Sequence, residues 1–135
     1  MGLIFDTSEF IWAERRGQKA TDLMRNVAKA EGVGISAITI AELQHGVRRA
    51  ATDMQRKTRQ QFLESVEEAF PVYPLNAEIA KLLGNLDAEL ALRGEKLDLA
   101  DLIVAATALA LDYSVATRNT KHFSRIENLH IISPT

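Results

Sequence analysis

Acidic and amide side chains occur at four places where a predicted strand ends or a predicted helix begins. Asp6 directly follows a short apolar run at the start of the chain, and Glu42 lies one turn inside the helix predicted after the next strand. Asp98 and Asp101 open a later helix, three residues apart and therefore on one face. Asn119 follows the fourth predicted strand. In an open parallel sheet such positions share the edge where ligands bind, so we expect these side chains along one rim.

The chemistry that fits such a rim is the binding of a divalent metal ion. Carboxylates pressed together repel one another unless a cation neutralises them. Oxygen ligands in a chain without cysteine favour Mg²⁺, with Mn²⁺ as a substitute. Asp6 carries the most weight, because a carboxylate straight after a buried strand is desolvated and needs a partner or a cation.

Two of these positions also have a local explanation. Glu42 with Thr39 matches the capping box of a helix start, and Asp98 with Asp101 can serve one helix N-terminus electrostatically. A cap of this kind is worth about 0.5–2 kcal/mol. Both interpretations stay open from the sequence.

The elements that must position these residues alternate between short strands and helices. We predict strands at residues 2–5, 33–38, 72–75, 114–117 and 130–132. Helices are predicted from residue 7 or 8 to 15, with Thr7 or Ser8 as the cap, and over 18–30, 39–50, 53–70, 77–93 and 99–111, with a helical turn near 121–123. Asn76 is the predicted cap of the helix at 77–93, and Gly94 is predicted to end it. Only a connection long enough to hold a helix joins parallel strands, so the alternation predicts an α/β fold with a parallel sheet. The helix at 99–111 is apolar nearly all round and is expected at the centre of the core.

Length and composition are those of one small domain. The 135 residues, 47% of them hydrophobic, are expected to form a single domain over residues 1–135. The first residues do not resemble a secretory signal, and no apolar run approaches the ~20 residues of a membrane span. Together with the lack of cysteine, this predicts a cytoplasmic protein.

The net charge of −2 hides an uneven distribution. Residues 44–60 hold five basic side chains against one acidic one, whereas residues 61–112 hold ten acidic side chains against three basic ones. Such a surface can present cations that bind phosphate groups near an acidic pocket.

The acidic residues lie within four longer segments, which read LIFDTSEF, ISAITIAELQHGV, LDLADLIVAATALAL and VATRNTKHF in chain order. In order and spacing these segments resemble the PIN-domain ribonucleases, in particular the toxins of VapC-type toxin–antitoxin pairs, over nearly the whole chain. The resemblance implies a three-layer α/β/α fold with a short, mostly parallel central sheet. Asp6, Glu42 and Asp101 match the family's three acids, and Asn119 falls where a fourth acidic or amide residue sits. Thr117 matches a hydroxyl residue that supports the acids.

The resemblance implies endonucleolytic cleavage of RNA, with tRNA as the usual class of target. Asp6 and Asp101 would hold Mg²⁺, which activates water, and Glu42 would orient the ion, so the expected products carry a 5′ phosphate and a 3′ hydroxyl. A VapB-type antitoxin that blocks the active site, a homodimer and higher hetero-oligomers are also implied. Asn119 in place of an acid removes a charge from the site of a second metal ion. Asp98, at a position that varies in the family, is interpreted first as a cap and second as an auxiliary carboxylate.

Four basic residues adjoin the predicted rim and are candidates for binding RNA phosphates. They are Arg48, Arg49, Arg118 and Lys121. The histidines are given no part in catalysis: His45 lacks the second Glu-x-x-His of a di-iron bundle, and His122 is expected on a helix surface.

Three other functions remain open from the sequence. A receiver-type phosphoacceptor module also places acids at strand ends, but it needs a paired acid at the first strand and a lysine after the last, and neither is present. A catalytically idle PIN fold kept as a binding partner is the second alternative, and Asn119 favours it slightly. The third is another PIN nuclease that acts in RNA processing.

Overall fold

A five-stranded parallel sheet runs through the computed structural model, which describes residues 2–27 and 31–133. The strands are β1 (Leu3–Phe5), β2 (Val33–Ser36), β3 (Val72–Tyr73), β4 (Ser114–Ala116) and β5 (Ile131–Ile132). Their order across the sheet is β3-β2-β1-β4-β5, and every neighbouring pair is parallel. The predicted α/β class is thereby confirmed.

The strand order places a topological switch point at the centre of the sheet. β1 and β4 lie side by side, with Phe5 opposite Ala116, although most of the chain separates them. From β1 the chain moves to one side, to β2, and from β4 it moves to the other side, to β5. Ligands of open α/β sheets bind at the crevice that forms beyond the carboxyl ends of two such strands. Asp6 and Thr117 are the first residues beyond them.

Helices fill the connections between the strands. They are α1 (Thr7–Arg15), α2 (Ala37–Arg48), α3 (Asp53–Ala69), α4 (Ala77–Leu92), α5 (Leu99–Leu111) and α6 (Thr120–Phe123). Asn76 caps α4 as predicted, with its Oδ1 accepting from Ile79 N at 2.9 Å. Gly94, at φ 71°, ends that helix in the left-handed conformation that glycine adopts without strain. No helix within the described ranges is long and apolar enough to cross a membrane.

The α-helix predicted over residues 18–30 is not what the structure contains. The structure has a 3₁₀ helix at Ala20–Val27 instead, and residues 28–30 of that prediction lie outside the described residues. Aspartate and threonine compete with the backbone for hydrogen bonds and so disfavour a regular α-helix. Here Asp22 Oδ2 accepts from the backbone N–H of Lys19 at 2.8 Å.

The boundary between β2 and α2 also differs from the prediction. The strand predicted over 33–38 ends at Ser36, and α2 begins at Ala37 rather than at Thr39. Ser36 is the N-cap, since its Oγ accepts from Ile38 N at 3.2 Å. Glu42 is therefore no member of a capping box, and its interpretation as a cap residue is wrong.

Apolar side chains cover both faces of the sheet. Leu3 and Phe5 belong to one cluster, with residues of α1 and α3, whereas Ile4 belongs to another, with residues of α5 and α6. This alternation along β1 gives the three layers that the resemblance implied. Phe5 also packs edge-on against Phe70 at 5.5 Å, so the residue before Asp6 is fixed in the core. The whole of α5 from Leu102 to Ala108 is buried, as its composition predicted.

Candidate active site

Asp6 is the buried centre of the rim. It is 4% exposed, and its Oδ2 accepts hydrogen bonds from Ser8 Oγ at 2.7 Å and from Thr117 Oγ1 at 2.9 Å. The backbone N–H of Asn119 donates to Thr117 Oγ1 at 2.9 Å, so the hydroxyl proton of Thr117 is directed at Asp6. Both side-chain bonds end on Oδ2, so Oδ1 is the oxygen that this network leaves for a ligand.

Two threonines join Glu42 to the end of β1. Thr7 Oγ1 donates to Glu42 Oε1 at 2.6 Å and lies 2.9 Å from Thr39 Oγ1. Thr7 gives its one hydroxyl proton to the carboxylate, so Thr39 is the donor in the second bond. Thr39, which is 0% exposed, thus supports Glu42 through Thr7 rather than through a helix cap.

Asp101 lies in the first turn of α5 and faces α6. Its Oδ2 is 3.2 Å from Nδ1 of His122, and 17% of its side chain is exposed. Burial raises the pKa of Asp101, the charge of Asp6 raises it further, His122 lowers it, and Asp98 makes a smaller contribution that raises it. The exposed Asp98 occupies the N-cap position of α5, but its side chain makes no capping hydrogen bond. Asp98 therefore acts on the site through its charge.

The predicted metal ligands lie on one rim but do not form a closed metal site. Among residues 2–27 and 31–133, no group of three or more acids and histidines is arranged to hold a metal ion. Glu42 is bonded to Thr7, and Asp101 to His122. The donor set still fits Mg²⁺, because Asp6, Glu42 and Asp101 supply only oxygen atoms and Asp6 raises the pKa of Asp101, an excess of negative charge that a cation relieves.

Arg118 is paired with residues of α1. Its Nε is 3.4 Å from Oε2 of Glu9, which is 0% exposed, and its guanidinium carbon lies 3.7 Å from the ring centroid of Trp12. Only 22% of the Arg118 side chain is exposed. This internal pairing competes with the predicted contact to RNA phosphates.

The other predicted RNA-binding residues are exposed. Arg48 is the last residue of α2, about 9 Å along the helix axis from Glu42, and Arg49 follows it. Arg48 also lines a shallow groove between α2 and α3, together with Arg56 and Lys57. Lys121 lies on α6, beside His122.

A second groove leads to the acids from the side of α1. It has a volume of about 130 Å³ and runs between α1, α2 and α3. Ile11, Leu43 and Phe62 provide its apolar surface, and Glu42 lies at its wall. A segment bound in this groove would reach one of the predicted catalytic carboxylates.

Several residues that build the rim are not among those predicted from the sequence. Thr7 and Ser8 were interpreted only as helix caps, and His122 only as a surface residue, yet all three contact a predicted ligand. A hydroxyl next to an acid at a strand end is the signal that marks Thr7 and Ser8. The sequence signal for Glu9 is weaker: it is an acid that directly precedes three large apolar residues, Phe10, Ile11 and Trp12.

The fold and the acidic rim define a class of protein. A family model described as the PIN domain matches residues 3–129, so the chain belongs to the PIN-domain family.

Within that family the chain is similar to VapC proteins. It is 35% identical to "Ribonuclease VapC" of Rickettsia bellii, over 98% of this chain and 96% of the relative. Among solved structures it is similar to VapBC2 from Rickettsia felis bound to a DNA fragment from the promoter, with TM-score 0.85, 26% identity and 98% of each chain covered. VapBC-5 from Mycobacterium tuberculosis matches with TM-score 0.77, 29% identity and 97% of each chain covered.

Proposed function

We propose that this protein is the Mg²⁺-dependent endoribonuclease toxin of a toxin–antitoxin pair, with tRNA as its class of substrate. The observation that carries the proposal is Asp6, buried at the switch point, held by Thr117 and close enough to Asp101 to raise its pKa. Supporting it are the PIN-domain match and the relatives, which are named as ribonucleases.

Asp6, Asp101 and Glu42 are the residues that would hold the metal ion. When bound, Mg²⁺ would polarise the scissile phosphate and lower the pKa of a water molecule. Thr117 and Ser8 donate hydrogen bonds to Oδ2 of Asp6, so Oδ1 is the oxygen that would contact the metal ion. Thr7 holds Glu42 in the same way. Asn119, two residues after Thr117, would add a neutral oxygen donor through its side-chain amide, whereas Asp98 would add charge only.

RNA phosphates would be held by basic residues on both sides of the acids. Arg48 and Arg49 at the end of α2 and Lys121 on α6 are exposed and suited to this role. Arg56 and Lys57 line the same groove as Arg48, which extends the basic surface on α3. Arg118 was predicted here as well, and its pairing with Glu9 makes it the weakest of these candidates.

The proposed partner is a VapB-type antitoxin. Similar solved structures are of VapBC proteins, and one of these proteins is a member of the VapBC family of toxin–antitoxin systems. The groove between α1, α2 and α3 offers an apolar surface that ends at Glu42, so an antitoxin segment bound there would cover the site. A homodimer, and a higher hetero-oligomer with the antitoxin, belong to the same proposal.

The experiment incubates the purified protein with a pool of structured RNAs, including tRNA, in Mg²⁺, Mn²⁺ or EDTA. We expect cleavage to 5′ phosphate and 3′ hydroxyl ends that EDTA abolishes. Asp6→Asn is expected to lower the rate of cleavage by at least about 100-fold. Even the loss of a residue that only hydrogen-bonds to a metal ligand lowers activity by about 10- to 100-fold. Asp22→Asn, a surface carboxylate on the 3₁₀ helix, serves as the control. Undiminished cleavage by Asp6→Asn would overturn the metal-carboxylate mechanism.

A catalytically idle PIN-fold binding module is the second candidate. Asn119 and the open arrangement of the three acids in the described residues favour it. It predicts no cleavage of any RNA by the wild-type protein, together with tight binding of the antitoxin. A PIN nuclease that acts in RNA processing would cleave, but would cut one defined precursor.

A further inference from the structure

Glu9 is a buried carboxylate that the proposed reaction does not use. It is 0% exposed and lies in the first turn of α1, where its backbone N–H donates to the carbonyl of Asp6 at 3.1 Å. An isolated charge in a protein core is strongly unfavourable, so such a group needs a charged partner. Its partner is Arg118, with 3.4 Å between Oε2 and Nε. No side-chain hydrogen bond to either carboxylate oxygen is formed among the described residues, so the side-chain pair is held by charge, while the backbone N–H of Arg118 also lowers the pKa of Glu9.

Arg118 connects this buried pair to the rim. It lies between Thr117, whose hydroxyl donates to Asp6, and Asn119, whose backbone N–H donates to that hydroxyl. Its guanidinium also stacks on Trp12, one turn beyond Glu9 on α1. One side chain therefore attaches the segment 117–119 to α1 at two points.

Stability alone is a poor explanation for this pair. Buried ion pairs can often be replaced by apolar residues of similar size without loss of stability, because desolvation offsets the attraction. The pair also sits close to the acids: burial raises the pKa of Glu9, Arg118 lowers it, and the charge of Asp6 raises it.

We propose that Glu9 is a positioning residue for the nuclease reaction. Through Arg118 it fixes the segment that presents Thr117 to Asp6. This inference rests on the proposed function. It gives Arg118 an internal role in place of the RNA contact predicted from the sequence.

The test compares the wild type with Glu9→Gln, Arg118→Met, Arg118→Lys and the double variant Glu9→Gln/Arg118→Met. Three quantities are measured: kcat and KM for RNA cleavage in Mg²⁺, the affinity for Mn²⁺ by electron paramagnetic resonance, and the midpoint of thermal unfolding. Arg93 and Glu127 form the matched control, because their Nη1–Oε1 distance is also 3.4 Å but the pair is exposed. The control variants are Glu127→Gln and Arg93→Met.

We expect Glu9→Gln to lower kcat by about tenfold and to weaken Mn²⁺ binding, with KM for RNA unchanged. The double variant should be no worse than Arg118→Met, because the two residues act as one unit. Arg118→Lys should recover part of the rate lost in Arg118→Met, since it keeps the charge. The two control variants should match the wild type in kcat and Mn²⁺ affinity.

Other results would overturn the inference. A lower unfolding midpoint with unchanged kcat and Mn²⁺ affinity would make the pair purely structural. Weaker RNA binding by Arg118→Met at unchanged kcat would show that Arg118 contacts RNA, as predicted from the sequence, and does not position the acids. If Glu9→Gln does not fold, the comparison of Arg118→Lys with Arg118→Met decides the same question. Lack of cleavage by the wild type would overturn the proposed function and this inference together, whereas equal rates for wild type and Glu9→Gln would overturn the inference alone.

Discussion

The two sides of the acidic rim are built differently. On the β1 side, hydroxyl groups hold the carboxylates: Thr117 and Ser8 bond to Asp6, and Thr7 bonds to Glu42. On the α5 side, the side chain of Asp101 is hydrogen-bonded to His122, which is itself 48% exposed. The first side is therefore organised before any ligand binds. The second side keeps an unfavourable charge that a ligand would relieve.

Asp101→Asn removes that charge and gives the largest expected effect. We expect RNA cleavage to fall by at least about 100-fold, because a predicted metal ligand is lost. The same variant should unfold at a higher temperature than the metal-free wild type at neutral pH. The raised pKa of Asp101 means that the folded protein binds this proton more tightly than the unfolded chain, so ionisation above that pKa costs stability.

The gain in stability should shrink as the pH falls through the raised pKa, where the wild-type carboxyl becomes neutral as well. Calorimetry of both proteins across the acidic range measures this. Asp87→Asn, an exposed change on α4, is the control and should show no such trend. A lower unfolding midpoint for Asp101→Asn at neutral pH would contradict the view of the α5 side as destabilising.

Thr117→Val tests the organised side and is expected to have an intermediate effect. The variant keeps the shape of the side chain but removes the hydroxyl that donates to Asp6. Loss of a residue that hydrogen-bonds to a metal ligand typically lowers activity or metal affinity by about 10- to 100-fold. It also leaves the buried Asn119–Thr117 and Thr117–Asp6 bonds unmade, which should cost about 1–3 kcal/mol of unfolding free energy.

Thr107→Val provides the matched control for Thr117→Val. Thr107 is also buried, at 1% exposure, but its hydroxyl donates to the backbone carbonyl of Ile103 within α5. Denaturant unfolding and cleavage rates are compared for both variants. Equal rates for the two would show that the hydroxyl network does not organise the site.

His122→Gln is expected to have the smallest effect. His122 is half-exposed, and a contact screened by solvent on one side is worth at most about 1 kcal/mol, which corresponds to a change of about fivefold in rate or metal affinity. Initial rates of cleavage over a series of Mg²⁺ concentrations would detect it. A loss as large as that of Thr117→Val would mean that the α5 side is as strictly organised as the β1 side.

The sequence was most informative where one residue type had one explanation. Asp6 after a buried apolar run had to lie at a strand end with a partner, and it does. Asn76 and Gly94 bound α4 as predicted, because caps and left-handed turns depend on local chemistry. The apolar composition of α5 required a central position in the core.

Sequence reasoning failed where two nearby residues offered the same chemistry. Ser36 and Thr39 both carry a hydroxyl before a helical pattern, and only packing shows that Ser36 caps α2 while Thr39 contacts Thr7. Arg118 is a cation beside the rim in the sequence, yet its direction depends on Glu9 and Trp12, which are over 100 residues away in the chain.

The sequence by itself therefore determined the α/β class and the position of Asp6 at the end of a buried strand, because these follow from local periodicity and from residue types. Only the tertiary structure decided how each acid is held. The contacts of Asp6, Glu42 and Asp101 come from separate elements, and hydrogen bonds between distant segments leave no pattern in the order of residues. The two differently built sides of the rim are the result of that long-range packing.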